Sequence, residues 1–162
     1  MANNLGKSFE TKFREQWAKT VPNSFCFRLN DQMSGYIGAS KNPCDMICYQ
    51  KPLLFLFELK SHKGNTFPFT AFRQYEEIIQ YKDIEGLKSG VILWLIELDK
   101  VLYIPIETFI KIKENDLKSF NYKVMKDDPE YVFFEIPSKK LRTFMNTDYS
   151  KLVEWFREHD QH

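Results

Sequence analysis

Asp45, Glu58 and Lys60 are the residues whose types and spacing could do chemistry. Glu58 closes a continuous apolar run, Leu53-Leu54-Phe55-Leu56-Phe57, and Lys60 follows it by two positions. Such a run reads as a buried strand. Side chains alternate along a strand, so Glu58 and Lys60 share a face and Leu59 points away. Asp45 opens an earlier strand over residues 45–49, and Gln50-Lys51-Pro52 is a turn candidate. With Lys51 and Pro52 as the turn, antiparallel pairing sets Asp45 across from Glu58. Opposed residues stand with Cβ atoms about 4.5–5.5 Å apart. Two carboxylates and one ammonium would then converge.

Carboxylates this close repel, and one takes up a proton unless a cation intervenes. Hard oxygen ligands without a His or Cys cage suit magnesium, which keeps several waters and takes one or two protein carboxylates. Manganese is the natural substitute. Such a centre activates water for in-line attack on phosphorus, and a lysine beside it would hold that water or neutralise developing charge. The chemistry implied is metal-dependent phosphodiester hydrolysis. The same three residues would also make an ordinary salt-bridged strand pair, with Lys60 neutralising Glu58.

The surrounding elements follow from periodicity. A first helix over residues 7–19 carries Leu5, Phe9, Phe13 and Trp17 at four-residue spacing. Glu10 lies beside that stripe, where it can reach the site or pair with Arg14 at i, i+4. A strand over 24–29 and a Gly-, Ser- and Asn-containing loop over 30–43 lead into Asp45. After Lys60 come His62, Lys63 and Gly64, then a helix over 70–82 with Phe72, Tyr75, Ile78 and Ile79 inward and Gln74 off the stripe. Residues 90–98 and 100–106 form a hairpin, 105–113 a short helix and 131–136 a strand. Tyr149, Leu152, Val153 and Phe156 give a last helix its apolar face.

Asp45 with Glu58-Leu59-Lys60 on a hydrophobic strand resembles the PD-(D/E)XK nuclease signature. Gly6-Lys7-Ser8-Phe9-Glu10 at a first helix, and the stretch from Lys60 to the Phe67-Pro68 step, resemble RecU- and Hjc-type Holliday junction resolvases. The likeness spans roughly residues 5–110. The short segment between Arg28 and Asp45 implies a phage-like relative with a reduced stalk. The resemblance implies an α/β fold, a mixed central sheet flanked by helices as in restriction endonucleases. It implies a structure-selective DNA endonuclease cutting four-way junctions, with Asp45, Glu58 and the Leu59 carbonyl on magnesium, Lys60 at the reacting water and Glu10 assisting. Arg28, Ser34, Lys41, His62, Lys63 and Gln74 become candidate DNA contacts, with plain surface roles as the other reading for Arg28. Two symmetric cuts imply a C2 homodimer. A duplex-cutting restriction or repair enzyme, and a DNA-binding factor without activity, are the rival readings.

Composition sets the frame. The chain has 162 residues, 43% hydrophobic and 16% aromatic, so disorder is not expected and one domain over 1–162 is. The longest apolar stretch, residues 91–96, is strand-sized, so no membrane association and a cytoplasmic location are expected. Cys26, Cys44 and Cys48 form no even disulfide set. Net charge is only +1, yet residues 1–63 hold nine Lys or Arg against five acids, and the remainder fourteen against seventeen. The half bearing the site is locally basic, which favours salt-sensitive DNA binding.

Overall fold

The computed structural model of the chain describes residues 2–30 and 42–159. In chain order the elements are α1 (Ala2–Thr20), β1 (Phe25–Arg28), β2 (Met46–Gln50), β3 (Leu53–His62), β4 (Thr66–Pro68), α2 (Tyr75–Ile79), β5 (Leu87–Leu95), β6 (Lys100–Pro105) and α3 (Ile106–Glu114). They continue as β7 (Ser119–Asn121), α4 (Tyr122–Met125), β8 (Phe134–Ile136), β9 (Ser138–Lys140), β10 (Met145–Thr147) and α5 (Tyr149–His159). Among the described residues the main sheet has six strands in the order β1-β2-β3-β5-β6-β8. β3 and β5 run parallel at its centre and the other neighbours are antiparallel. This is the mixed α/β sheet flanked by helices that the resemblance implies.

Two apolar layers hold the sheet. On one face Phe9, Phe13 and Trp17 of α1 pack with Phe55, Phe57 and Leu59 of β3 and with Tyr149, Leu152, Val153 and Phe156 of α5. On the other, Leu56, Val91, Leu93 and Leu102 meet Phe72, Tyr75, Ile78 and Phe109. Odd and even positions of β3 therefore serve opposite cores, which is why its sequence is apolar without a break. Burying each large side chain stabilises the fold by roughly 1.5–3 kcal/mol. Buried Gln16 ties helix α1 to the peripheral β9–β10 hairpin, donating to Met145 O at 2.8 Å and accepting from Thr147 N at 3.3 Å. At Gly90 an added Cβ would lie 2.3 Å from Ile104 O, so only glycine admits that close approach of β5 to β6. Among the described residues no helix is long and apolar enough to cross a membrane.

Several expectations are corrected. Helix α1 begins earlier than residue 7, and Leu5 is exposed. Four-residue spacing gains about 40° per step at 100° per residue, so Leu5 stands roughly 120° from Trp17 and outside the buried arc. The helix expected over 70–82 is a 3-10 turn at Phe69–Ala71 followed by short α2. Phe69, Phe72 and Tyr75 recur at three-residue spacing, which eclipses in a 3-10 turn. Phe69 and Phe72 then both reach Phe109, with ring centroids at 6.1 and 4.8 Å. The strand expected over 131–136 starts only at Phe134. Continuing its register would oppose Tyr131 to Ile106, which is already helical, and the Val132 carbonyl accepts instead from the Thr108 hydroxyl. The antiparallel pairing of β4 with β7 joins residues about fifty positions apart and carries no local signal.

Candidate active site

The β2–β3 hairpin has the register that a two-residue Lys51-Pro52 turn requires, from Gln50 opposite Leu53 to Met46 opposite Phe57. Asp45 stands one position beyond the last pair. Its N–H donates to Phe57 O at 3.1 Å and its carbonyl accepts from Leu29 N at 2.9 Å. Its carboxylate Oδ2 accepts from the Leu59 N–H at 2.8 Å. Two of these bonds hold Asp45 against β3, beside Glu58, and the third ties it to Leu29 just after β1.

Glu58 is 1% exposed, and Lys60 Nζ lies 3.3 Å from its Oε1. The other oxygen, Oε2, is buried with no hydrogen-bond partner among the described residues. Burial first, then the neighbouring Asp45 charge, push the Glu58 carboxyl up to about 8, while Lys60 acts in the opposite sense. At neutral pH without a cation Glu58 is therefore mostly protonated, and a protonated Glu58 can donate to Asp45. Once both are ionised neither can donate to the other, Lys60 serves only Oε1, and Oε2 is stranded. Cys44, buried alongside, donates its thiol to Met46 O at 3.2 Å. Burial, with the Glu58 and Asp45 charges, raises that thiol to about 12, so it stays neutral.

The donor set fits a hard divalent cation. An orphaned buried carboxylate oxygen and a second carboxylate beside it supply hard ligands, and such a cation completes its shell with waters and phosphate oxygens. Among the described residues no group of three or more His, Cys, Asp or Glu side chains converges on a common point. The centre would rest on Asp45 and Glu58.

A prediction follows from the raised carboxyl. A folded-state value near 8 against an unfolded 4.5 means that Glu58 contributes stability fully below about pH 4.5, and loses it as pH rises through 8. Glu58→Gln removes that loss. In chelator, the variant should unfold several degrees higher than the wild type at pH 9, at ~2–4 °C per kcal/mol. The gap should close toward pH 5. Thermal unfolding across that range checks it, and a gap that widens on acidification refutes it.

The remaining candidates separate. Glu10 Oε2 accepts from Arg28 Nε at 2.7 Å, and both side chains are partly buried. Arg28 is paired in register with Met46, which belongs to the α1-side core. The Glu10–Arg28 pair therefore sits on the α1 face, while alternation turns Asp45 and Glu58 to the other face. His62 ends β3 with its ring edge-on to Phe67, centroids 6.2 Å apart. Lys63 is exposed just beyond. Gln74 caps the start of α2, and its Oε1 is buried without a partner among the described residues. Ser34 and Lys41 lie outside the described residues. Sequence reading missed the orphaned Oε2, the capping of Leu59 by Asp45 and the Arg28 partner of Glu10. The last two depend on how Asp45 leaves its strand beside β3 and how α1 lies against β1, which no local pattern encodes.

The fold so defined is a mixed α/β sheet carrying a buried Glu58, a partly buried Asp45 and a lysine beside them. No family model and no curated protein matches the chain. Among solved structures it is similar to that of Archaeoglobus fulgidus Hjc, a Holliday junction resolvase from an archaeal hyperthermophile. The TM-score is 0.48 and the identity 19%, covering 64% of this chain and 78% of that one.

Proposed function

We propose that this chain is a magnesium-dependent, structure-selective DNA endonuclease of the Holliday junction resolvase kind, acting as a C2 dimer. The observation that carries the reading is Glu58: a carboxylate at 1% exposure, beside a second carboxylate, with one oxygen unpaired. Holding a bare carboxylate there costs stability, and a divalent cation is what offsets the cost. Magnesium bound there, with manganese as substitute, supplies charge neutralisation at the scissile phosphate and activates water.

The chain's own groups divide the remaining work. Asp45 and Glu58 hold the ion, with the Leu59 carbonyl completing the protein ligands. Asp45 is the rigid member, fixed by its bonds to β3 and to Leu29. Lys60, the more exposed partner of Glu58, orients the water or meets charge developing on phosphate. Glu10 acts at one remove by holding Arg28 at the edge of the sheet. His62, Lys63 and Gln74 contact DNA around the site and Arg28 contacts it from the edge of the sheet, with Ser34 and Lys41 as further candidate contacts.

Labelled four-way junction, linear duplex and single strand, each with and without magnesium, test this. Cleavage should require the metal. With calcium in place of magnesium, binding should persist while cutting stalls, since calcium takes a looser coordination than magnesium's octahedron. The junction should bind more tightly than duplex of the same sequence. Affinity falls with salt, but the ratio should persist. A monomer in sedimentation, or a ratio near one, leaves a nuclease and sinks the resolvase. No cleavage of any DNA leaves only a binding factor.

A further inference from the structure

On the face that carries Glu58, the described helices α2 and α3 pack over β3, β5 and β6, and Ile47 of β2 joins that core at its edge, while Phe25, Phe27 and Tyr49 of the outer strands stay exposed. Cys26 packs into the α1-side core, so Phe25 and Phe27 turn to this open face. They are 51% and 65% exposed, and Tyr49 beside them is 37% exposed. Register opposes Phe25 to Tyr49 and Phe27 to Ile47. The Phe25 and Tyr49 rings stack, with centroids 5.9 Å apart and planes 29° apart. A single exposed ring needs no explanation, but three contiguous ones do.

The strip adjoins the acid pair. Ile47, opposite Phe27, is two residues from Asp45 on the same face, about 7 Å along the strand. Neither β1 nor β2 contains an acidic residue. The half of the chain that holds them is the basic half, nine Lys or Arg against five acids. We infer that Phe25, Phe27 and Tyr49 form a stacking platform for unpaired bases of the DNA strand whose phosphate lies at Asp45, Glu58 and Lys60. This rests on the nuclease reading and specifies the form its substrate takes when bound: DNA with unpaired nucleotides next to the cut, as where base pairs open at a junction's crossover. Every base has a π-face, so aromatic rings hold single strands without regard to sequence. The absence of acids leaves nothing on these strands to repel the accompanying phosphates.

The test uses the full chain in calcium and two fluorescein-labelled probes, a blunt duplex and the same duplex with a single-stranded thymine tail. The wild type should bind the tailed probe more tightly. Phe27→Ala should weaken tailed binding ~5- to 150-fold and blunt binding by less than about twofold. Phe27→Trp should retain the preference, and Phe27→Leu, apolar but without a π-face, should lose it. An iodouracil-substituted tail should photo-crosslink the wild-type chain within peptides containing Phe25, Phe27 or Tyr49, a readout independent of any variant's folding. Equal binding of the two probes by the wild type, equal loss on both, or crosslinks confined elsewhere overturns the platform. Unchanged tail binding by Phe27→Ala, with a changed sedimentation coefficient, also overturns it and makes the face a contact between copies. If the wild type binds neither probe and cuts no DNA, the nuclease reading falls as well; duplex cleavage with no tail preference removes the platform alone.

Discussion

Asp45→Asn and Glu58→Gln should each abolish DNA cleavage, by at least ~10³-fold, while leaving the fold intact. The size follows from what is lost. Each substitution removes one of two charges able to hold the cation, and a bound cation alone stabilises a phosphoryl-transfer transition state by several kcal/mol. The fold should survive because the shapes survive. Asn at position 45 keeps an oxygen to accept the Leu59 N–H, a bond of 2.8 Å in the wild type. Gln at position 58 removes a carboxylate that burial already disfavours. Lost turnover with retained or raised thermal stability is therefore the expected signature, an ordinary exchange of stability for activity at a functional site. Magnesium or manganese titration by calorimetry should show the binding heat vanish in both variants. Cleavage near the wild-type rate by either one would place the chemistry elsewhere.

Lys60→Ala should slow cleavage by ~10²–10³-fold, the usual effect of removing an electrostatic group from a developing charge. Lys63→Ala, an exposed lysine three residues on, is the control and should cost little. A second consequence separates this role from a general loss of positive charge. Lys60 lowers the Glu58 carboxyl, opposing burial and Asp45. Without it Glu58 holds its proton to higher pH and competes longer with the cation. The pH–rate profile of Lys60→Ala should shift to the alkaline side, with part of the loss recovered there, and that of Lys63→Ala should not move. Equal small effects of the two substitutions, or unshifted profiles in both, would count against Lys60.

Strand β3 was legible because only one structure suits its composition. Residues 53–57 are apolar at every position, and a strand buried on both faces needs that. The parity of Glu58 and Lys60 came with it. The partner strand was legible too, since a two-residue turn leaves one antiparallel register. The α5 stripe of Tyr149, Leu152, Val153 and Phe156 was legible for the same kind of reason: its spacing keeps those side chains within one narrow arc, and all four are buried. The helix expected over 70–82 was not, because its aromatics satisfy two periods and contact with Phe109 chose between them. Glu10 had a local partner in prospect, and the sheet supplied Arg28 from eighteen residues away.

Sequence by itself therefore determined which residues converge at the candidate site, because turn length and strand parity are local constraints that a neighbour cannot alter. Tertiary structure alone decided the chemistry of that convergence. Whether Glu58 is buried, and whether its second oxygen finds a donor, depends on what covers the sheet above it, and distant segments supply that cover. The same cause governs β1. Phe25, Cys26 and Phe27 make a strand apolar on both faces, but among the described residues α1 packs on the Cys26 side while Phe25 and Phe27 stay exposed on the other. Burial is a property of packed layers, so exposure of those rings could not be read from the strand that carries them.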